Sequence, residues 1–217
     1  CVELALYERL QHGLWCGPCP SGRFTSLEDL QRAVDAYVED SSPHTEIARD
    51  YGWPIGHWCV SGVEDFSELF SAERNPAMVH FNEDIGRWDV SDVLYMNRMF
   101  LGARNFNQDI SKWRVNRVIM ANRMFEDATS FNQDISSWPV ERLCHAYDMF
   151  KGATSFNQDL CLWGRRYWFE HRGCIYTNMF HGTSCDVQDE DVEIVRVNEA
   201  GAGYLPPSPL CSRCEEW

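Results

Sequence analysis

No lysine- and arginine-rich run occurs anywhere in the 217 residues, and the formal net charge is −14. Nucleic acid and anionic membrane surfaces both require a basic face for phosphate contacts, so neither is an expected partner. No apolar stretch approaches the roughly 18 residues of a membrane-spanning helix. The N-x-Ser/Thr sequon is missing too, so N-glycosylation gives no support to a secreted address. No signal peptide is visible. The chain opens on Cys1, which reads as a processed product or a piece of something longer from which a targeting segment has been removed. Seven histidines show no metal-ligand spacing, no EF-hand loop occurs, and Ser, His and Asp form no nucleophile motif. No catalytic, cofactor-binding or metal-binding residue is therefore assigned.

What the chain does have is hydrophobic content of 44%, enough for a folded core. It also has ten cysteines, an even number and high for a cytosolic protein. They read as mostly paired, in an oxidising compartment.

Above all it has an internal repeat. Trp88, Trp113, Trp138 and Trp163 follow one another at 25-residue intervals, as do Phe106, Phe131 and Phe156, and Met99, Met124 and Met149. FNQDIS occurs at 106–111 and 131–136, FNQDL at 156–160, and a variant copy at 81–85. Imperfect units flank this array. Upstream, Trp58, Val60, Val63, Leu69 and Phe70 keep the pattern with five extra residues before Phe81; downstream, Met179-Phe180 arrives five residues late, after an insertion carrying Cys174. Atypical terminal units are what capping of a stacked array requires.

Each unit divides in two. Phe106 to Ser111 reads as a short strand, and Val93, Met96, Met99 and Phe100, spaced i, i+3, i+6, i+7, read as one face of a short helix. Ser91 is the expected N-cap and Gly102 the expected stop, with Asn116, Gly152 and Gly182 repeating them and Asp127 and Glu141 departing from them. Ser61 and Glu64 have capping-box spacing. A lone unit buries too little to offset the ordering of its backbone, so the units must stack. The Trp, Met and Phe columns are then core and not a binding platform. The expected fold class is an α/β solenoid, leucine-rich-repeat-like, with one short strand and one short helix per 25-residue turn and about five turns. Before it, Thr25 to Val38 reads as an amphipathic capping helix, with Thr25 and Glu28 at capping-box spacing.

FNQDIS-x-W-x-V followed by a helix ending in Met-Phe resembles the BspA-like leucine-rich-repeat surface proteins, over about 58–185. YGWPIGHWCVSGV at 51–63 resembles that family's lead-in to its first repeat. The resemblance implies surface or extracellular proteins used in adhesion and recognition, with no catalytic residues to carry over. The last unit departs from it, since Trp163 is followed by Gly-Arg-Arg.

Trp15-Cys16-Gly17-Pro18-Cys19 matches the thioredoxin active-site motif, whose chemistry needs the first Cys at a helix N-terminus to lower its thiol pKa. Pro20-Ser21-Gly22 breaks such a helix, and the residues before Trp15 lack an apolar strand. CGPCPSGRF is more similar to the C-x-x-C-P-x-G stretch of ephrin-receptor-like cysteine-rich modules, extracellular and disulfide-bonded, and Cys211-Ser-Arg-Cys214 is placed to open another. The two C-x-x-C pairs also have zinc-ligand spacing, but lie at opposite ends of the array. Aligned carboxylates at Asp84, Asp109, Asp134 and Asp159, about 4.8 Å apart, would repel by about 0.9 kcal/mol per adjacent pair in water. Each must accept local backbone N–H bonds or share a cation such as calcium; the Asn82, Asn107, Asn132 and Asn157 column raises the same question of local bonding.

The expected organisation is a cysteine-rich segment at 1–24, the capping helix and lead-in at 25–57, the repeat solenoid at 58–185, and an acidic segment at 186–217. The last holds a possible edge strand at Ile194–Val197, a linker at Gly201–Pro209 and a Cys pair. The expected function is non-catalytic binding, adhesion or assembly with a protein partner. The expected location is extracellular, at the cell surface or in a secretory lumen. The alternatives are a thiol–disulfide oxidoreductase using Cys16 and Cys19, and a structural subunit of a larger complex. Variable positions such as Arg114, Pro139 and Glu141 are candidates for a specific surface.

Overall fold

Ser26 starts the first helix: its hydroxyl accepts the Asp29 N–H at 3.2 Å, and α1 runs Leu27–Glu39. The cap is thus one residue later than Thr25, the residue expected from the sequence. The structure, a computed structural model, describes residues 24–163 and 177–185. The Cys16–Cys19 motif, Cys174, Ile194–Val197, Gly201–Pro209 and Cys211–Cys214 lie outside the described residues. The short α2, Glu46–Tyr51, is capped by Thr45, whose Oγ1 accepts the Ala48 N–H at 3.1 Å, and ends at Gly52 with φ 97°. A 3-10 turn at Ile55–His57 then leads into Trp58.

From Trp58 onward the repeat governs the structure. Trp, Val, Met and Phe of every described unit are buried in one continuous core, in the order the periodicity implies. Phe70, Phe100, Phe125, Phe150 and Phe180 form a column with ring centroids 5.3, 5.4, 5.5 and 5.6 Å apart. A second column, Phe81, Phe106, Phe131 and Phe156, steps by 6.1, 6.0 and 5.9 Å. The two interlock: Phe100 stacks on Phe106, and Phe125 on Phe131, at 4.0 Å. Phe180 joins the column in line despite the insertion before it.

The halves of the unit are not what the sequence pattern predicts. Between Trp58 and Leu160 no α-helix forms, and Phe106–Ser111 is not paired as a strand. The pairing lies instead in the segment read as helical, where Asp65, Tyr95, Met120 and His145 bridge in parallel from unit to unit. The spacing of Val93, Met96 and Met99 arises from successive tight turns, closed by Val93 N–H to Val90 C=O at 3.0 Å and Met99 N–H to Met96 C=O at 3.3 Å. Turns closed at i+3 return a side chain to the core every third residue, which over seven residues mimics a helical face. Each central turn carries a left-handed residue: Glu68, Arg98, Arg123, Asp148 and Asn178 have φ between 54° and 60°. Gly102, Gly152 and Gly182 take a second left-handed position (φ 68°, 70° and 72°), and Asp127, the expected exception, adopts it too at φ 56°. Ser91 caps no helix; its N–H and hydroxyl donate to Asp89 Oδ1 at 3.1 and 2.7 Å.

From Met96 to Gly102 and in the equivalent stretches, alternate peptide groups point along the stacking direction in one sense. Met96, Arg98, Phe100 and Gly102 donate N–H to the carbonyls of Met120, Asn122, Met124 and Glu126, each at 2.8 Å. The carbonyls of Tyr95, Asn97, Met99 and Leu101 in turn accept from Phe66, Glu68, Phe70 and Ala72. Within this stretch each inter-unit peptide therefore aims its C=O toward the chain's N-terminal side; at the bridged residues just before it the sense reverses, with Leu94 N–H donating back to Glu64 C=O at 2.7 Å and Ile119 N–H to Leu94 C=O at 2.9 Å. Along this stretch the aligned peptide dipoles add, as they do in a helix, and leave partial negative charge on its carbonyls in the first unit.

That end is capped. Ser67 C=O accepts from Gln31 Nε2 of α1 at 3.2 Å, Leu69 C=O from Arg74 Nη2 at 2.8 Å, and Ser71 C=O from Asn75 N–H at 2.9 Å. Arg74, supplied by the lengthened first unit, also binds Glu68 C=O at 2.9 Å and forms a two-pronged pair with Asp35 of α1 at 2.6 and 2.8 Å. Leu30, Ala33, Val34 and Tyr37 of α1 are buried, with Tyr37 edge-on to Trp58 at 5.6 Å.

Candidate functional site

The invariant polar residues of the unit are turned to the framework. Each Trp indole reaches back one unit: Trp88, Trp113, Trp138 and Trp163 donate Nε1–H to the carbonyls of Ile55, Ile85, Ile110 and Ile135 at 2.9 to 3.1 Å. Asn82, Asn107 and Asn132 accept through Oδ1 the backbone N–H of Asn107, Asn132 and Asn157 at 2.8 to 2.9 Å. Gln108, Gln133 and Gln158 donate to the same three Asn carbonyls at 2.8 to 3.1 Å. Asp84, Asp109, Asp134 and Asp159 each accept the N–H two residues on, at 2.8 to 2.9 Å. The hydroxyl and the N–H of Ser111 hold the Asp109 carboxyl below its ordinary value. Asn and Gln of the FNQD motif are thus mortar between units, and its Asp closes a local turn.

What varies from unit to unit sits on the bridged face. Its central row is Asp65, Tyr95, Met120 and His145; beside it run Glu64, Leu94, Ile119 and Cys144, and two residues on run Ser67, Asn97, Asn122 and Tyr147. All of these but the exposed Glu64 are half-buried. Parallel bridging sets neighbouring rows about 4.8 Å apart, with the side chains of bridged residues on one side. Asn97 Oδ1 accepts from Asn122 N–H and Nδ2–H at 3.2 and 3.0 Å, and Asn122 Oδ1 from Tyr147 N–H at 3.2 Å, which fixes the amides along the face.

Charge borders this face. Arg98 pairs with Glu68 at 3.2 Å. Glu126 is buried to 5% exposure yet carries a carboxylate, held between Arg123 and Lys151, the latter at 3.2 Å. Hydrogen bonding to Glu126 raises both cations above their ordinary values, with the Glu126 charge adding to it. Rings, a thioether, an imidazole and amides on a fixed ladder can recognise a partner by packing and directed hydrogen bonds. Among the described residues, no group of three or more His, Cys, Asp or Glu is arranged to hold a metal ion.

Sequence reasoning named Arg114, Pro139 and Glu141 as variable positions but missed this face, because its residues fell within the expected helix. The signal that could have found it is the row itself: Asp65, Tyr95, Met120 and His145 occupy equivalent positions and share no chemistry. Arg114 instead lines a groove at another corner of the unit, with Arg87 and Lys112. Cys59, Cys144, Cys161 and Cys185 are disulfide-bonded.

Residues 42–163, more than half of the chain, match the family described as "Mycoplasma protein of unknown function, DUF285". The chain belongs to that family. The match to DUF285 begins just before α2 and ends at Trp163, the last Trp of the regular array. No curated protein and no solved structure matches the chain. Among the described residues, no helix is long and apolar enough to cross a membrane.

Proposed function

We propose that this DUF285 member is a non-catalytic surface or extracellular binding module. Its repeats form a leucine-rich-repeat-like solenoid of the BspA type, presenting the bridged face to a protein partner. The carrying observation is the division of labour within the unit. Recurring residues are buried or bonded to the next unit, while Tyr95, Met120, His145 and Tyr147 change from unit to unit and stay accessible. A framework that repeats and a face that does not is the pattern of a recognition surface on a rigid scaffold. Membership of DUF285 and the disulfide-bonded cysteines agree with a surface protein in an oxidising setting.

The test is cross-linking of the native chain to surface extracts of its source cells, beside two variants. Met120→Glu combined with Tyr95→Ser alters the face; Asp134→Ser, on the FNQD side, leaves it intact. Recovery of a constant partner by native protein and Asp134→Ser, but not by the face variant, is the expected result. Equal recovery by all three, or no partner at all, contradicts the reading.

A further inference from the structure

Most cations of the described chain are committed: Arg32, Arg49, Arg74, Arg98, Arg117, Arg123 and Lys151 each pair with a carboxylate. Five described cations, Arg87, Arg104, Lys112, Arg114 and Arg142, have no carboxylate of the described residues within ion-pair distance. Three of those five, Arg87, Lys112 and Arg114, line a single groove of about 380 Å³. All three are exposed. Lys112 feels Asp109 only as a charge. Like charges gathered around one cleft repel one another, and none of the three is held there by an ion pair among the described residues.

Nor does the repeat require them. In the next unit the positions of Lys112 and Arg114 are held by Ser137 and Pro139, and that unit stacks as well as its neighbours, with Trp138 6.3 Å from both Trp113 and Trp163. The cluster is therefore specific to one pair of units.

The same groove holds acceptors, Asp89 and Ser91. Asp89 Oδ1 is taken by the Ser91 N–H and hydroxyl, leaving Oδ2 directed to no other described group. A purely anionic chain such as an acidic peptide would set its carboxylates against Asp89. A ligand with one acidic group and several hydroxyls would satisfy both halves of the site, the acid on the cations and the hydroxyls on Asp89 and Ser91. The volume lies at the low end of small-ligand pockets, near the size of one or two sugar rings.

We propose that this groove binds an acidic saccharide, its carboxylate or sulfate held among Arg87, Lys112 and Arg114 and its hydroxyls on Asp89 and Ser91. The site is separate from the bridged face and stands whether or not that face binds a protein.

Titration of the full chain by calorimetry at low salt tests it, with four probes: a sulfated glucosamine–uronate disaccharide, a non-sulfated hyaluronan disaccharide, maltose and hexaglutamate. At least one acidic disaccharide binds ten times more tightly than maltose or hexaglutamate, and weakens several-fold at 0.5 M salt. Which of the two binds distinguishes sulfate from carboxylate. The exposed double substitution Arg87→Gln/Arg114→Gln reduces that affinity tenfold or more with the melting curve unchanged, and Lys112→Gln alone moves it the same way. Asp89→Ala separates sugar from mere charge: it weakens the disaccharide, whereas a simple anion site would tighten. Absence of binding by both acidic disaccharides, equal binding of maltose, preference for hexaglutamate, or indifference to the substitutions overturns the proposal.

Discussion

At the scale of single residues, the stack depends on atoms that reach across 25 residues. Trp113 Nε1–H and its acceptor, Ile85 C=O, are both buried, at 3.1 Å. Trp113→Phe keeps an aromatic ring but leaves that carbonyl without a donor and a void where the rest of the indole lay, and is expected to cost about 2–4 kcal/mol in urea unfolding. Gly152 shows a tighter constraint: it sits at φ 70°, and a Cβ there would lie 2.2 Å from Asp127 Oδ1 of the preceding unit. Gly152→Ala should cost about 1–2 kcal/mol from the left-handed backbone, since the Asp127 carboxylate is the exposed end of a side chain that can turn aside. Adding Asp127→Gly should change that cost little, so the two substitutions are near-additive in a double-mutant cycle. The burial of Trp, Met and Phe was legible from their spacing alone. The Asn and Trp bonds were not, because a period tells which residues are neighbours and not which atoms meet.

At the scale of elements, peptide ladders between units, centred on the stretch 94–102 and its equivalents, replace the strand and helix that the pattern suggests. A three-residue return to the core is shared by a helix over two turns and by a string of i+3 turns, and Val93, Met96 and Met99 are too few to separate them. Glu68, Arg98 and Arg123 at positive φ gave no signal either, since long charged residues are not the usual left-handed formers. The ladder's negative end explains the lengthened first unit, which supplies Arg74. Arg74→Gln removes the charge from Leu69 and Glu68 carbonyls and strands Asp35; a loss of about 2–4 kcal/mol is expected from denaturant unfolding.

The same cluster makes a pH prediction. Burial raises the Asp35 carboxyl, but hydrogen bonds from Arg74 and Asn75 and the Arg74 charge outweigh it, and the group ends below its ordinary 3.8. A carboxyl lowered on folding contributes stability above its unfolded value, and that contribution is lost as pH falls through the lower folded value. Native protein should therefore lose more stability than Asp35→Asn as pH is lowered from 5 through about 4 and below, in paired thermal melts.

At the scale of the whole molecule, the stack behaves as a row of near-identical layers, each held by its neighbours. Excising residues 107–131 joins Phe106 to Asn132, the same junction as Phe131–Asn132, and leaves every column in register. That shortened chain should fold with reduced stability and a native-like tryptophan emission. Excising 107–119 breaks the register and should not fold. The length of the unit and the covering helix were legible in the sequence, and the Asp column's turn toward its own backbone was one of two readings left open. The bridged face was not, since locating it requires knowing which half of the unit pairs.

That pairing is tested most directly by amide hydrogen exchange resolved residue by residue. Met96, Arg98, Phe100 and Gly102, donors to the next unit, should exchange only on global unfolding. Gln108 and Asp109, in the segment that the pattern reads as strand, should exchange close to the rate of an open chain. Strong protection at Gln108 and Asp109 with rapid exchange at Met96 through Gly102 would contradict the account.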